Sequence, residues 1–147
     1  MAFTTQHTVT WAQLDSNGHM ANTAYLDTVV DTRFAYFASQ GFPPAAFAKH
    51  QLGPVVRRDE VEYFKELRLQ QAYTVNFRIA GLSEDGSRFR IVNEIQRDDG
   101  QPCARVTTLG GWFDLAARKL VAPPAGLAAA LQALEKTEDF EVLPGSA

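Results

Sequence analysis

The sequence has little of several features that would point to particular classes of protein. Its 147 residues include one cysteine, Cys103, so an intrachain disulfide is excluded, and no spacing of potential ligands predicts a metal site. The net charge of −3 argues against a nucleic acid as the main partner, because phosphate binding requires a basic surface. No apolar run approaches membrane-spanning length, and the opening MAFTTQHTVTW lacks the basic and apolar regions of a secretory signal. We therefore expect a cytoplasmic protein.

What is present is the composition of an ordinary globular protein, with 46% hydrophobic and 21% charged residues. We expect one domain over residues 1–147, because a chain of this length can bury one hydrophobic core. No internal repeat or linker interrupts the chain, and the tail from about residue 137 is expected to be loosely held.

A long, strongly apolar helix is predicted over residues 23–39. Its apolar side chains recur at helical spacing and form a stripe wide enough to leave the helix nearly enclosed: Leu26, Val30, Phe34 and Phe37, widened by Tyr25, Val29 and Tyr36. Asp27 and Asp31 lie on the same helix close to Arg33, and we interpret these charges as a salt-bridged or interfacial group. A helix this apolar requires other elements to cover it.

Alternating apolar and polar residues predict five strands. The first lies near residues 8–13, and the others cover residues 55–64, 73–80, 89–95 and 103–113. Turns that contain Gly86 and Gly100 join the last three, which is typical of an antiparallel meander. A short amphipathic helix is predicted over residues 125–136. The predicted fold class is therefore α+β: an antiparallel sheet of about five strands wrapped around a long central helix, with a short C-terminal helix.

The segment W-A-Q-L-D-S-N-G-H-M-A-N-T-A-Y-L, residues 11–26, resembles the hotdog-fold thioesterases, in particular the branch of 4-hydroxybenzoyl-CoA thioesterase. The positions that carry the resemblance are Asp15, Gly18, Asn22 and Tyr25. The run D-S-N-G-H-M-A-N is also similar to the corresponding segment of acyl-carrier-protein thioesterases. Weaker matches extend the resemblance over about residues 9–134.

The resemblance implies an acyl-CoA thioesterase without a metal or another cofactor. In such an enzyme Asp15 acts as a general base toward water or as a nucleophile, and both roles stay open. The backbone N–H of Asn22 polarises the thioester carbonyl, because the first N–H groups of a helix lack internal partners and carry the positive end of its dipole. Gly18 permits a tight turn in the loop, and Tyr25 is a substrate-binding candidate.

Other residues are candidates for supporting roles. His19 can orient water or donate to the thioester, and Asn17 can position His19. Glu62 is a candidate for completing the site of a partner subunit, and Arg58 and Arg90 are candidates for binding the phosphates of coenzyme A. The resemblance also implies a homodimer or homotetramer with sites between subunits, paired through an exposed edge strand.

Two other functions stay open. Hotdog-fold hydratases and dehydratases of enoyl thioesters carry D-x-N-P-x-H before a helix, and D-S-N-G-H is close to that motif. His19 follows Asp15 by four residues instead of five, however, and a glycine replaces the proline. The second alternative is a non-catalytic module that binds acyl thioesters, since a fold alone does not establish chemistry. Whether coenzyme A or a carrier protein bears the acyl group also stays open.

Overall fold

The structure, a computed structural model, describes residues 2–145 as a curled, largely antiparallel sheet with three helices. The strands are β1 (Phe3–Thr8), β2 (Leu52–Tyr63), β3 (Ala72–Ser83), β4 (Arg88–Arg97), β5 (Pro102–Asp114), β6 (Lys119–Leu120) and β7 (Lys136–Leu143). The helices are α1 (Ala24–Ser39), α2 (Pro44–Lys49) and α3 (Ala125–Ala133). None of these helices is both long and apolar enough to cross a membrane. This α+β architecture is consistent with a hotdog fold.

The strand order in the sheet is β1-β3-β4-β5-β2, with β6 beside β5 and β7 beside β3. The hairpins predicted from β3 to β5 are present, and their turns contain Gly86 and Gly100 at φ of +76° and +84°. Apolar and polar residues alternate along these strands as predicted, because one face of the sheet is buried. On β3 that face consists of four side chains that are at most 1% exposed: Tyr73, Val75, Phe77 and Ile79.

Helix α1 packs one side against the buried face of the sheet. Tyr25, Val29 and Phe37 on that side are at most 5% exposed and belong to the hydrophobic core. Asp27 and Asp31 lie on the opposite side and are exposed. In the single chain the helix is thus covered on one side only, unlike the nearly enclosed helix that its composition suggests, because the sheet reaches only one side.

The first strand lies earlier than the sequence predicts. Strand β1 pairs with β3 over Phe3–Thr8, whereas Trp11–Gln13 form a 3-10 helix. The Thr10 N–H donates to the Gln13 side-chain oxygen at 2.9 Å, which turns the chain. Val9 is buried, but Trp11 is 78% exposed. The strand predicted near residues 8–13 is therefore wrong, although apolar and polar residues alternate there.

The tail was also predicted wrongly. Residues expected to be loosely held form β7, which pairs with β3 in parallel. The Ile79 N–H donates to the Glu135 carbonyl oxygen at 2.9 Å just before β7 begins, and Phe140 packs against the core. The sequence KTEDFEVL contains four charged residues, which obscure the apolar alternation of a strand. Helix α3 correspondingly ends at Ala133, before its predicted end.

Strand β2 forms an edge of the sheet. It is twelve residues long and pairs with β5 along one side. Among residues 2–145, no other strand pairs with its second side. Unpaired backbone groups along such an edge can pair with another chain.

Candidate active site

The loop between Leu14 and Met20 turns back on itself. The Asp15 N–H donates to the His19 carbonyl oxygen at 2.9 Å, and the Gly18 N–H donates to the Asp15 carbonyl oxygen at 3.1 Å. Leu14 and Met20 form an antiparallel bridge at the base of the loop. Gly18 has a φ of +76°, a conformation that costs residues with a Cβ about 1–2 kcal/mol. The turn therefore favours glycine at this position.

The carboxylate of Asp15 is held by the same loop. Its Oδ1 accepts the backbone N–H groups of Asn17 at 2.9 Å and of His19 at 3.2 Å. Within the described residues its Oδ2 has no hydrogen-bond partner, and the side chain is exposed in the single chain. The loop thus fixes the direction of the carboxylate while leaving one oxygen free for water or a substrate.

Buried residues anchor this loop to the rest of the fold. The Met20 N–H donates to the Leu67 carbonyl oxygen at 2.7 Å, and the Ala21 N–H donates to the Gln13 carbonyl oxygen at 2.7 Å. Met20 and Leu67 are 4% and 0% exposed. Because these bonds join the loop to the hydrophobic core, the position of Asp15 is fixed relative to the start of α1.

Asn22 lies just before helix α1, whose first helical residue is Ala24. Asn22 therefore belongs to the preceding turn, in which the Ala24 N–H donates to the Ala21 carbonyl oxygen at 2.9 Å. In the part of the chain that the structure describes, no acceptor receives a hydrogen bond from the Asn22 N–H. This N–H, close to the positive end of the α1 dipole, is available to a carbonyl oxygen.

Tyr63 at the end of β2 contacts the same turn. Its hydroxyl donates to the Asn22 carbonyl oxygen at 2.9 Å, and its ring packs edge-to-face on Tyr25, with centroids 5.4 Å apart. Tyr25 is 3% exposed, and burial raises the pKa of Tyr25 to about 12. Strand β2 is thereby linked to the backbone at the start of α1.

An open pocket of about 260 Å³ brings these groups together. Four of the predicted site residues line it: Asp15, His19, Asn22 and Tyr25. Asn17 and Gly18 do not line it; their backbone N–H groups donate to Asp15 within the loop. The other lining residues are Met20, Tyr63, Phe64, Lys65, Glu66 and Cys103. Within residues 2–145 there is no group of three or more histidine, cysteine, aspartate or glutamate side chains that could hold a metal ion.

Sequence reasoning did not assign Tyr63 and Glu66 to this pocket. Tyr63 shares the inner face of β2 with Val61, an alternation that the sequence displays. Glu66 follows the end of β2, where no periodic pattern marks it. A hydrogen bond from its own backbone lowers the pKa of the Glu66 carboxyl, and electrostatic interactions with His19 and Arg68 act in the same direction. Glu66 therefore contributes a carboxylate to the pocket that His19 also lines.

Three predicted substrate-binding residues lie away from this pocket. Arg58 and Glu62 alternate with the inward-facing residues of β2 and are exposed on the outer face of the sheet, where Arg58 lies 3.9 Å from Glu60. Arg90 on β4 also faces outward and donates to Glu141 of β7 at 3.0 Å. The two-residue period of a strand thus separates these side chains from the pocket within one chain.

Comparison with known sequences identifies a family. The family model of the Thioesterase-like superfamily matches residues 9–131, most of the chain. A comparison with curated proteins finds no match. The resemblance predicted from residues 11–26 is therefore confirmed at the level of the family.

Several solved structures share the fold. A hypothetical protein from Staphylococcus aureus in complex with CoA has a TM-score of 0.82 at 20% identity, over 90% of this chain and 82% of that chain. A 1,4-dihydroxy-2-naphthoyl-CoA thioesterase from Synechocystis has a TM-score of 0.81 at 19% identity, over 91% and 98% of the two chains. YbaW, a probable thioesterase from Escherichia coli, has a TM-score of 0.75 at 22% identity, over 88% and 96%. At these identities the likeness concerns the fold.

Proposed function

The chain belongs to the Thioesterase-like superfamily, and from that premise we propose that it is an acyl-CoA thioesterase. The reaction is hydrolysis of RC(O)–SCoA by water to a free acid and the thiol of CoA. One observation carries the proposal: Asp15 and Asn22 line the same pocket. The loop fixes the Asp15 carboxylate, and the Asn22 backbone N–H has no acceptor among residues 2–145. The CoA complex of one structural relative and the CoA-thioesterase activity named for another support CoA as the carrier, ahead of an acyl-carrier protein.

The free Oδ2 of Asp15 is the reactive atom in this proposal. As a general base it takes a proton from water while the water oxygen attacks the thioester carbonyl, and the CoA thiolate then leaves and takes up a proton. As a nucleophile it attacks the carbonyl itself and expels the CoA thiolate, which takes up a proton; water then hydrolyses the resulting anhydride to the free acid and regenerates the Asp15 carboxylate. In either route the Asn22 N–H donates to the carbonyl oxygen as negative charge develops there.

Tyr63 supports this donor as a positioning residue. Its hydroxyl holds the Asn22 carbonyl oxygen, and its ring rests on Tyr25. With the Asn22 carbonyl held in place, the turn that contains the Asn22 N–H has less freedom to move. His19 and Glu66 line the same pocket, where His19 orients water or donates to the thioester.

We further propose that two chains associate through the unpaired edge of β2. A second chain placed there would cover the exposed side of α1 and the exposed Asp15 side chain, which would shield the reacting carboxylate from bulk solvent. The sheet would then enclose the helix as in the complete hotdog arrangement. Glu62, Arg58 and Arg90 leave the sheet on its outer face, so they could reach a substrate only where another subunit packs against that face. A homodimer is sufficient for the pairing through β2, and a homotetramer would in addition bring a subunit to the outer face.

The proposal is tested by measuring free-thiol release from short, medium, long and aromatic acyl-CoA thioesters. We expect turnover of at least one class, and the most active member identifies the preferred acyl group. No release from any member, with an enoyl-CoA being hydrated instead, would assign the chain to the hydratase alternative. Binding of acyl-CoA without turnover of any kind would assign it to the non-catalytic alternative.

A further inference from the structure

The arginines on strands β2 to β5 differ in whether an acidic side chain balances their charge. Five of them form an ion pair with a glutamate or an aspartate: Arg58, Arg78, Arg90, Arg97 and Arg105. Within residues 2–145, the guanidinium groups of Arg57 and Arg88 have no such partner and donate no hydrogen bond. The Nε of Arg88 is even buried without an acceptor. A charged donor in this state gains from an anion that reaches its other nitrogens.

A β-bulge in β2 sets the position of Arg57. Val56 pairs with Gly110 of β5 and Arg58 pairs with Leu109, so that Arg57 between them has no partner on β5. Such a bulge interrupts the alternation of a strand and redirects the side chain of the extra residue. Arg57 lines the same cavity as Arg88.

This cavity has a volume of about 260 Å³ and lies on the outer face of the sheet. Phe89 points into the core, so its neighbour Arg88 on β4 leaves the sheet on the opposite face. Gly111 of β5 pairs with Arg88 and has no side chain on that face. Leu120 of β6 lies over Gly111, because a Cβ at Gly111 would be 2.8 Å from the Leu120 Cδ2.

The end of β7 forms another wall of the cavity. Leu143 lies over Gly81 of β3, where an added Cβ would be 2.9 Å from the Leu143 Cδ2. Apart from the two arginines, the side chains that line the cavity are apolar, among them Val55, Leu109, Leu120 and Leu143. Of residues 2–145, no acidic residue lines it. We call it the outer-face cavity.

The composition of the outer-face cavity determines which ligands fit. The planar fork of an arginine matches the two oxygens of a carboxylate. The apolar walls favour a hydrocarbon group and disfavour a ligand with many polar atoms, which would lose its hydration there. The volume is below the usual 300–1,000 Å³ of a cavity for a drug-sized molecule, so the ligand is small.

The outer-face cavity is separate from the candidate active site. The pocket at Asp15 and the outer-face cavity share no lining residue. Pairing of two chains through the edge of β2 would extend the sheet sideways and leave its outer face open. A ligand can therefore occupy the outer-face cavity whether or not the pocket at Asp15 is occupied.

We propose that the outer-face cavity binds a small monocarboxylic acid with an apolar group, of about six to ten carbon atoms. Arg57 and Arg88 hold the carboxylate, and the apolar group packs on Leu109, Leu120 and Leu143. Acids of this class include those that the proposed thioesterase reaction releases. Binding at this site does not require that reaction.

Calorimetric titration of the whole chain with hexanoate, octanoate and decanoate tests the proposal. We expect at least one of these acids to bind at the outer-face cavity. Arg88→Met and Arg57→Gln should each weaken its binding by about tenfold, the usual range for a hydrogen bond between charged groups. Neither change leaves a protein acceptor without its donor, so both variants should fold.

The control Arg105→Met removes an arginine from the outer face that does not line the cavity, and it should retain the wild-type affinity. A second control replaces hexanoate with 1-hexanol, which should bind at least about tenfold more weakly because it has no charge for the arginines.

Three results would overturn the proposal. The first is the absence of binding by all three acids at concentrations up to about 10 mM. The second is an unchanged affinity in both Arg88→Met and Arg57→Gln, which would place the acid elsewhere, such as in the pocket at Asp15. The third is equal affinity for hexanoate and 1-hexanol. Because none of these titrations requires turnover, they decide on the outer-face cavity independently of the thioesterase proposal.

Discussion

Two charged side chains of the molecule are held in different ways. At the candidate active site, backbone groups hold the Asp15 carboxylate: the N–H groups of Asn17 and His19 donate to it. In the interior, side chains hold the guanidinium of Arg33 on α1, which donates to Asn93 and Thr108. Asp15 is exposed in the single chain, whereas Arg33 is 9% exposed. The comparison suggests that the exposed carboxylate is placed for a reaction and that the buried guanidinium holds α1 on the sheet.

The largest effect among the variants that probe this difference is expected for Gly18→Ala. Alanine at a φ of +76° costs about 1–2 kcal/mol, and the loop that holds Asp15 will shift to relieve that cost. We expect kcat/KM for an acyl-CoA to fall by about tenfold, because a displaced catalytic group loses much of its effect. Thiol-release kinetics and thermal unfolding measure the two consequences.

The matched control is Gly100→Ala in the turn between β4 and β5. Gly100 has a φ of +84°, and in both glycines an added Cβ would meet nothing within 4 Å. The control should therefore lose similar stability without losing activity. An equal loss of activity in both variants would show that Gly18 matters only for stability.

A smaller effect is expected for Tyr63→Phe. The ring that packs on Tyr25 is retained, but the hydrogen bond to the Asn22 carbonyl oxygen is lost. We expect kcat to fall about fivefold with KM nearly unchanged, since a less restricted Asn22 N–H stabilises the transition state less well. Steady-state kinetics with a saturating acyl-CoA separate the two constants.

Tyr36→Phe serves as the comparison for Tyr63→Phe. The Tyr36 hydroxyl also donates to a backbone carbonyl, that of Ala130 at 2.5 Å, but in the core away from the pocket. Its loss should lower the free energy of unfolding by about 1 kcal/mol and leave kcat unchanged. A rise in KM without a change in kcat for Tyr63→Phe would contradict the positioning role.

The smallest effect on catalysis is expected for Thr108→Val, next to Arg33. This change removes the hydroxyl between Arg33 and Asp59 and leaves a buried Nη2 without its acceptor. The free energy of unfolding should fall by about 1–3 kcal/mol, and kcat/KM for an acyl-CoA should stay within about twofold of wild type. Denaturant unfolding and thiol-release kinetics measure both. An unchanged unfolding free energy would contradict the described network.

Local sequence patterns predicted those structural features that depend on residues close together in the chain. The alternation of β3, the apolar stripe of α1 and the loop around Asp15 were all recognised in this way. Strand β7 was missed because its parallel pairing with β3 joins distant parts of the chain. The contact of Tyr63 with Asn22 was also missed, as was the inward position of Arg33, which donates to Asn93 and Thr108 instead of pairing with Asp27 and Asp31. Both contacts depend on which side chains of the sheet lie against α1, and a local sequence pattern does not show this.

The central claim is that the carboxylate of Asp15 carries out the reaction, and Asp15→Asn tests it most directly. Asparagine retains the shape and can still accept the N–H groups of Asn17 and His19, but it is neither a base nor an effective nucleophile. Thiol release from the best acyl-CoA should fall by about a hundredfold or more in a folded variant, while Asp98→Asn, in the turn after β4, retains activity. Activity of Asp15→Asn within about threefold of wild type would contradict the account.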